Sequence, residues 1–113
     1  MLERDLAWFG VSQPDKRRPI LPDMNDEAIL LGAMYVMEGS TLGGQHIARH
    51  VERVLSLTQG NGDAYFRGYE ERTGSMWKES CEMLRTKVPE DKSEIAIGSA
   101  KAMFAVFGSW MLQ

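Results

Sequence analysis

Between Gly32 and His50 the sequence reads GAMYVMEGSTLGGQHIARH, with four glycines, the hydroxyls of Ser40 and Thr41, and two histidines in one helical stretch. Glycine inside a helix costs about 1 kcal/mol relative to alanine, so Gly39, Gly43 and Gly44 together cost about 3 kcal/mol. That is a sizeable part of a domain's net stability, and a structural or functional return is expected. At about 100° per residue, Gly32, Gly39 and Gly43 fall within roughly 40° of one another. Ser40 and Gly44 flank one side of this stripe and Tyr35 the other. Two arrangements use such bare backbone: close packing of a second helix, or approach of a flat or bulky ligand to the peptide groups. The spacing alone leaves both open. The hydroxyls of Ser40 and Thr41 compete locally for backbone hydrogen bonds and favour a bend near Gly39–Gly44.

Other side chains with chemical potential have simpler readings. His46 and His50 stand at i and i+4, a spacing that can hold a metal. Arg49, Glu52 and Arg53 surround them, so polar surface is expected and no metal ligand is assigned. Glu38, an acid in an apolar stretch, suits a buried ion pair with an arginine better than a general acid. Met34, Met37, Met76, Met83 and Met103 fall on faces expected to be buried, as adaptable core filling. Cys81 is expected to be an inert core residue. The basic clusters Lys16-Arg17-Arg18 and Arg49/Arg53 are expected to be solvated.

The positioning elements are helices. Leu2, Leu6 and Phe9 share a helical face and Gly10 supplies a stop, so Met1–Phe9 reads as the end of a helix. Gln13–Asp23, with Pro14, Pro19 and Pro22, reads as an extended connector. Asn25 is the expected cap of a long helix from about Asp26 to about Leu57, with Asp26 and Glu27 at its positive end. Gln59–Gly62 reads as a turn, followed by the short aromatic segment Ala64–Tyr69. A helix is expected over Glu71–Val88, with Trp77, Cys81, Leu84 and Val88 on one face. Another is expected over Ser93–Leu112, where Ile97, Ala100, Phe104, Phe107 and Met111 form a stripe. No segment alternates with period two. The expectation is one all-α domain over residues 1–113, a bundle of about four helices.

Composition limits the function classes. The chain has 113 residues, 43% apolar and 26% charged, with a net charge of −3. These values fit a globular domain and disfavour a nucleic-acid surface. The apolar runs are too short for a membrane span, and the first residues do not read as a secretory signal. A single cysteine rules out a disulfide framework and fits a reducing cytoplasm.

Tyr35-Val36-Met37-Glu38-Gly39-Ser40-Thr41-Leu42-Gly43-Gly44-Gln45 resembles the distal-helix motif of the heme oxygenase family, most closely its bacterial biliverdin-producing branch. Asp5-Leu6-Ala7-Trp8-Phe9-Gly10 resembles the end of an earlier family helix. Phe66-Arg67-Gly68-Tyr69 with Gly74-Ser75-Met76-Trp77 resembles the next helical stretch, and the segment ending in Phe104, Phe107 and Trp110 the last helix. The resemblance covers nearly the whole chain and implies a heme-oxygenase-like helical bundle.

The resemblance also implies a chemistry. Heme is both substrate and cofactor, and it is cleaved oxidatively to biliverdin, carbon monoxide and ferrous iron with electrons from a reductase or ferredoxin. Gly39, Ser40 and Gly43 take the catalytic positions. Tyr35, Gly39, Ser40, Gly43, Gly44, Phe104 and Phe107 take the heme-binding ones, with Tyr35 near the propionates and the phenylalanines as a wall. For the basic clusters Lys16-Arg17-Arg18 and Arg49/Arg53, contact of one residue with a heme propionate stays open as the alternative to a solvated surface. Animal members carry aspartate at the position matching Ser40, and bacterial members differ there. The family's axial histidine lies upstream of the matched region, so the resemblance is to the C-terminal half, truncated at the N-terminus, without the usual iron ligand. An alternative therefore stays open: a non-catalytic helical module that dimerises, or that binds heme or a bilin without turnover. Loss of the covering helices is expected to expose Trp8, Phe104 and Trp110 and to favour a homodimer.

Overall fold

The computed structural model describes residues 1–13 and 15–113. It contains α1 (Leu2–Trp8), α2 (Glu27–Leu55), α3 (Thr73–Lys87) and α4 (Ser93–Met111), and no strand among the described residues. Short 3-10 turns at Glu70–Arg72 and Glu90–Lys92 lead into α3 and α4. The all-α expectation holds. The chain divides into two compact units: Met1–Lys16 with Ser40–Met76, and Arg17–Gly39 with Trp77–Gln113.

In the first unit, α1 ends at Gly10, whose φ of +77° is the left-handed stop expected of glycine. Leu2 and Phe9 are largely exposed and Leu6 is half-buried, so the expected apolar face is only partly covered; the buried residue of α1 is Asp5. The Asp5 carboxylate accepts the backbone N–H groups of Ala64, at 3.0 Å, and Tyr65, at 2.7 Å. Arg4 donates to the Gly60 carbonyl at 2.7 Å. Gly62 is required twice over. Its φ is +89°, and a Cβ there would come within 2.8 Å of Trp8 and 2.9 Å of Phe9. The turn expected at Gln59–Gly62 is thus where α1 docks. Within α2, Gly44 is buried, and a Cβ on it would meet the Phe66 carbonyl oxygen at 2.6 Å.

In the second unit, the start of α2 is capped by Asp26 rather than Asn25. Asp26 accepts the Ala28 N–H at 2.8 Å, while the Asn25 amide donates to Asp23. Asp26 also pairs with Lys92 at 3.3 Å, which ties the start of α2 to the turn before α4. Ala33, Val36 and Met103 form the core, with Met24 and Ala100 packed against it. Gly32 packs so closely on α4 that a Cβ would overlap the Ala96 carbonyl, and the Ser99 hydroxyl donates to the Ile29 carbonyl.

Several burial expectations are corrected. Met34 and Met37 are exposed, while Met103 is buried and Met76 and Met83 are half-buried. On α4 the buried residues are Ser99 and Met103, whereas Ile97, Phe104, Phe107 and Met111 are exposed. The small residues at 96, 99 and 100 let α4 approach Gly32 closely, so that side of the helix takes the interior. Trp8 and Phe104 are exposed as expected. Trp110 is half-buried, with the Arg17 guanidinium 5.9 Å from its ring centroid. Arg17 is therefore not simply solvated. The connector residues 15–25 are neither helix nor strand; Pro14 lies outside the described residues.

Candidate functional site

The helix α2 continues through Gly39–Gly44 without interruption. Its glycines have different surroundings. Packing accounts for Gly32 and Gly44, where a side chain would strike the backbone of a neighbouring segment. Gly43 is exposed, and a Cβ built on it meets nothing within 4 Å. Gly39 is intermediate: the Trp77 ring stands 3.5 Å from the place a Cβ would take. The two explanations that the spacing left open therefore separate by position. Close packing takes Gly32 and Gly44, and open backbone remains at Gly43.

In the second unit, Tyr35 and Phe104 line one apolar cavity of about 580 Å³, together with Gly32, Leu84, Val88 and Ile97. This brings together two of the residues singled out in the sequence. The size and apolar lining suit a small organic ligand. Arg85 and Lys101 also line the cavity and were not anticipated, because isolated basic residues on helix surfaces carry no pattern. Phe107 and Gly39 are not among its lining residues. Tyr35 instead leans on Trp77, with ring centroids 5.4 Å apart and planes at 52°.

In the first unit, Ser40 is exposed and Thr41 half-buried. Gln45 closes the motif structurally. Its amide nitrogen lies 2.7 Å from the Glu70 carbonyl, 3.2 Å from the Arg67 carbonyl and 2.8 Å from the Thr73 hydroxyl. This holds the 3-10 turn before α3 against α2. Below it, Arg67 donates to Glu52 at 2.7 Å and lies 3.8 Å from the fully buried Asp63. The Asp63 carboxylate also accepts the Gly60 N–H at 2.8 Å. Asp63 beside Glu52, together with desolvation, raises the Glu52 carboxyl above its ordinary range, against the opposing pull of Arg67.

Glu38 is half-buried on α2. His46 and His50 are exposed, and His50 Nδ1 lies 3.2 Å from the Arg53 guanidinium. No group of three or more metal-ligating side chains occurs among the described residues. Cys81 is half-buried rather than fully within the core. No helix among the described residues is long and apolar enough to cross a membrane.

The residues present fit a planar apolar group: open peptide backbone at Gly43 and, separately, an apolar cavity bearing an aromatic ring and a phenol. No curated protein and no solved structure matches the chain. The sequence profile described as heme oxygenase matches residues 1–113, and the chain belongs to the heme oxygenase family.

Proposed function

We propose that this chain binds heme and takes part in its oxidative cleavage to biliverdin, carbon monoxide and ferrous iron, with electrons from a reductase or ferredoxin. The observation that carries the reading is Gly43. It gives up about 1 kcal/mol of helix stability relative to alanine, yet among the described residues no neighbour lies within 4 Å of the place a Cβ would take. Gly74, Gly98 and Gly108 are as open, but Gly43 alone of these lies in the Glu38–Gln45 segment that carries the family motif. A planar ring approaching that backbone gives a reason for the missing side chain.

Heme, when bound, supplies the iron that handles oxygen and the ring that is opened. The protein's own part is binding and orientation. By resemblance, Ser40 and Gly43 of the first unit are assigned a hydroxyl and peptide backbone for the ligand; in the second unit Gly39 is assigned backbone, and Tyr35 and Phe104 line an apolar cavity with aromatic surface and a phenol. Phe107 is assigned to the same aromatic wall by resemblance. Titration with hemin should shift its Soret band. Addition of a reductase and air should then generate the red absorbance of biliverdin. Absence of both from folded protein would reject this function.

A second reading is favoured by the exposed apolar side chains of α4 and its end, where Phe104 is 58%, Met111 80% and Leu112 89% accessible. Such surface tends to be covered by a partner. In this reading the chain is a helical module that forms a homodimer and binds heme or a bilin without turnover. Light scattering reporting a monomer at high concentration would eliminate it. Hemin binding without product would separate it from the enzyme.

A further inference from the structure

Gly39 and Trp77 belong to the same compact unit, and Trp77 is the side chain that lies over Gly39. Its Cη2 and Cζ3 atoms stand 3.5 and 3.6 Å from the position of a Gly39 Cβ, which is ordinary van der Waals contact. The indole is half-buried and leans on Tyr35 at a centroid distance of 5.4 Å. These are ring and dispersion contacts, which are weak individually and indifferent to which aromatic group supplies them.

A planar ligand that packs on the Gly39 backbone needs the volume now held by the six-membered ring of Trp77. Both cannot occupy it. Replacing one aromatic contact with another costs little, because the surface stays covered by π-systems throughout. We propose that Trp77 is a displaceable cover over Gly39: a porphyrin-like planar ring takes the place of the indole, and Trp77 thereby sets the affinity for it. This rests on the heme reading above and adds a residue that controls access to the glycine face.

The test is titration of the full chain with hemin, comparing wild type with Trp77→Ala and Trp77→Leu. Circular dichroism confirms that each variant is folded. Trp77→Leu keeps most of the packing volume in case the alanine variant unfolds. Removing the cover should tighten hemin binding about three- to tenfold, the range expected for one lost aromatic contact. In protein labelled with 5-fluorotryptophan, the Trp77 resonance, assigned by its loss in Trp77→Leu, should shift on adding zinc protoporphyrin. Unchanged or weaker binding in a folded variant, with wild type binding hemin, would overturn the cover while leaving the heme reading intact. No hemin binding by wild type or either variant would overturn both.

Discussion

Gly32 and Ala96 meet backbone to backbone: a single added methyl on Gly32 would overlap the Ala96 carbonyl. Both partners are main chain or attached to it, so no rotamer change relieves the overlap. Gly32→Ala should therefore destabilise the protein by about 1 kcal/mol net, since overpacking costs roughly 1–3 kcal/mol and the helix-propensity gain returns about 1 kcal/mol. Urea denaturation would show it as a lower midpoint with an unchanged slope.

Gly43 predicts the opposite sign. With nothing within 4 Å of a built Cβ, Gly43→Ala should stabilise the chain by about 1 kcal/mol. Gly43→Leu should also be tolerated by the fold, while weakening hemin binding at least tenfold if a macrocycle lies on that backbone. Denaturation and hemin titration on the same variants separate the two effects. A leucine variant that binds hemin as wild type does would remove Gly43 from the proposed site.

The contrast between these glycines also shows what was legible in the sequence. Helix number and approximate boundaries followed from apolar periodicity, from Gly10 and from the turn at Gln59–Gly62. The glycine stripe was visible, but its division into packed and open positions was not, because that depends on where the Ala96 and Phe66 carbonyls lie. Tyr35 and Phe104 were singled out through family resemblance, and the fold places both in one cavity. Arg85 and Lys101, which line the same cavity, had no sequence signal. Most of the apolar stripe of α4 is exposed for a physical reason. Period-3.6 patterning marks an apolar face without saying whether anything covers it, and close approach to Gly32 turned the small residues inward.

Glu52 gives a pH dependence of defined sign. Its folded carboxyl is raised, first by Asp63 and then by desolvation, so the protonated form is favoured in the native state. Its stabilising contribution is therefore full below the unfolded carboxylic-acid value and is lost as pH rises through the higher folded value. Asp26 is held below its ordinary value, first by the Ala28 N–H and then by Lys92, and contributes in the reverse direction, losing stability as pH falls. Carbon-13 titration of the side-chain carboxyls should find Glu52 above and Asp26 below their unfolded values. In Glu52→Gln the loss of stability between weakly acidic and neutral pH should flatten. An unshifted Glu52 resonance would show that Arg67 offsets Asp63 and desolvation, and would remove the predicted pH dependence.

The last prediction concerns how α1 is held. Asp5 is a buried acid on a helix whose apolar residues Leu2, Trp8 and Phe9 are exposed, and its two oxygens accept the N–H groups of Ala64 and Tyr65. Hydrogen bonds to a charged acceptor contribute roughly 1.5–3 kcal/mol each, and removing the acceptor strands the donors without a partner. Asp5→Ala should cost about 3 kcal/mol and release α1 from the turn at Gly60–Tyr65. Asp5→Asn keeps one acceptor oxygen and should cost about half as much. Hydrogen exchange at the Ala64 and Tyr65 amides reads this directly: both should be protected in wild type, fast in Asp5→Ala, and intermediate in Asp5→Asn. If both amides exchange alike in all three proteins, the carboxylate is not what anchors α1.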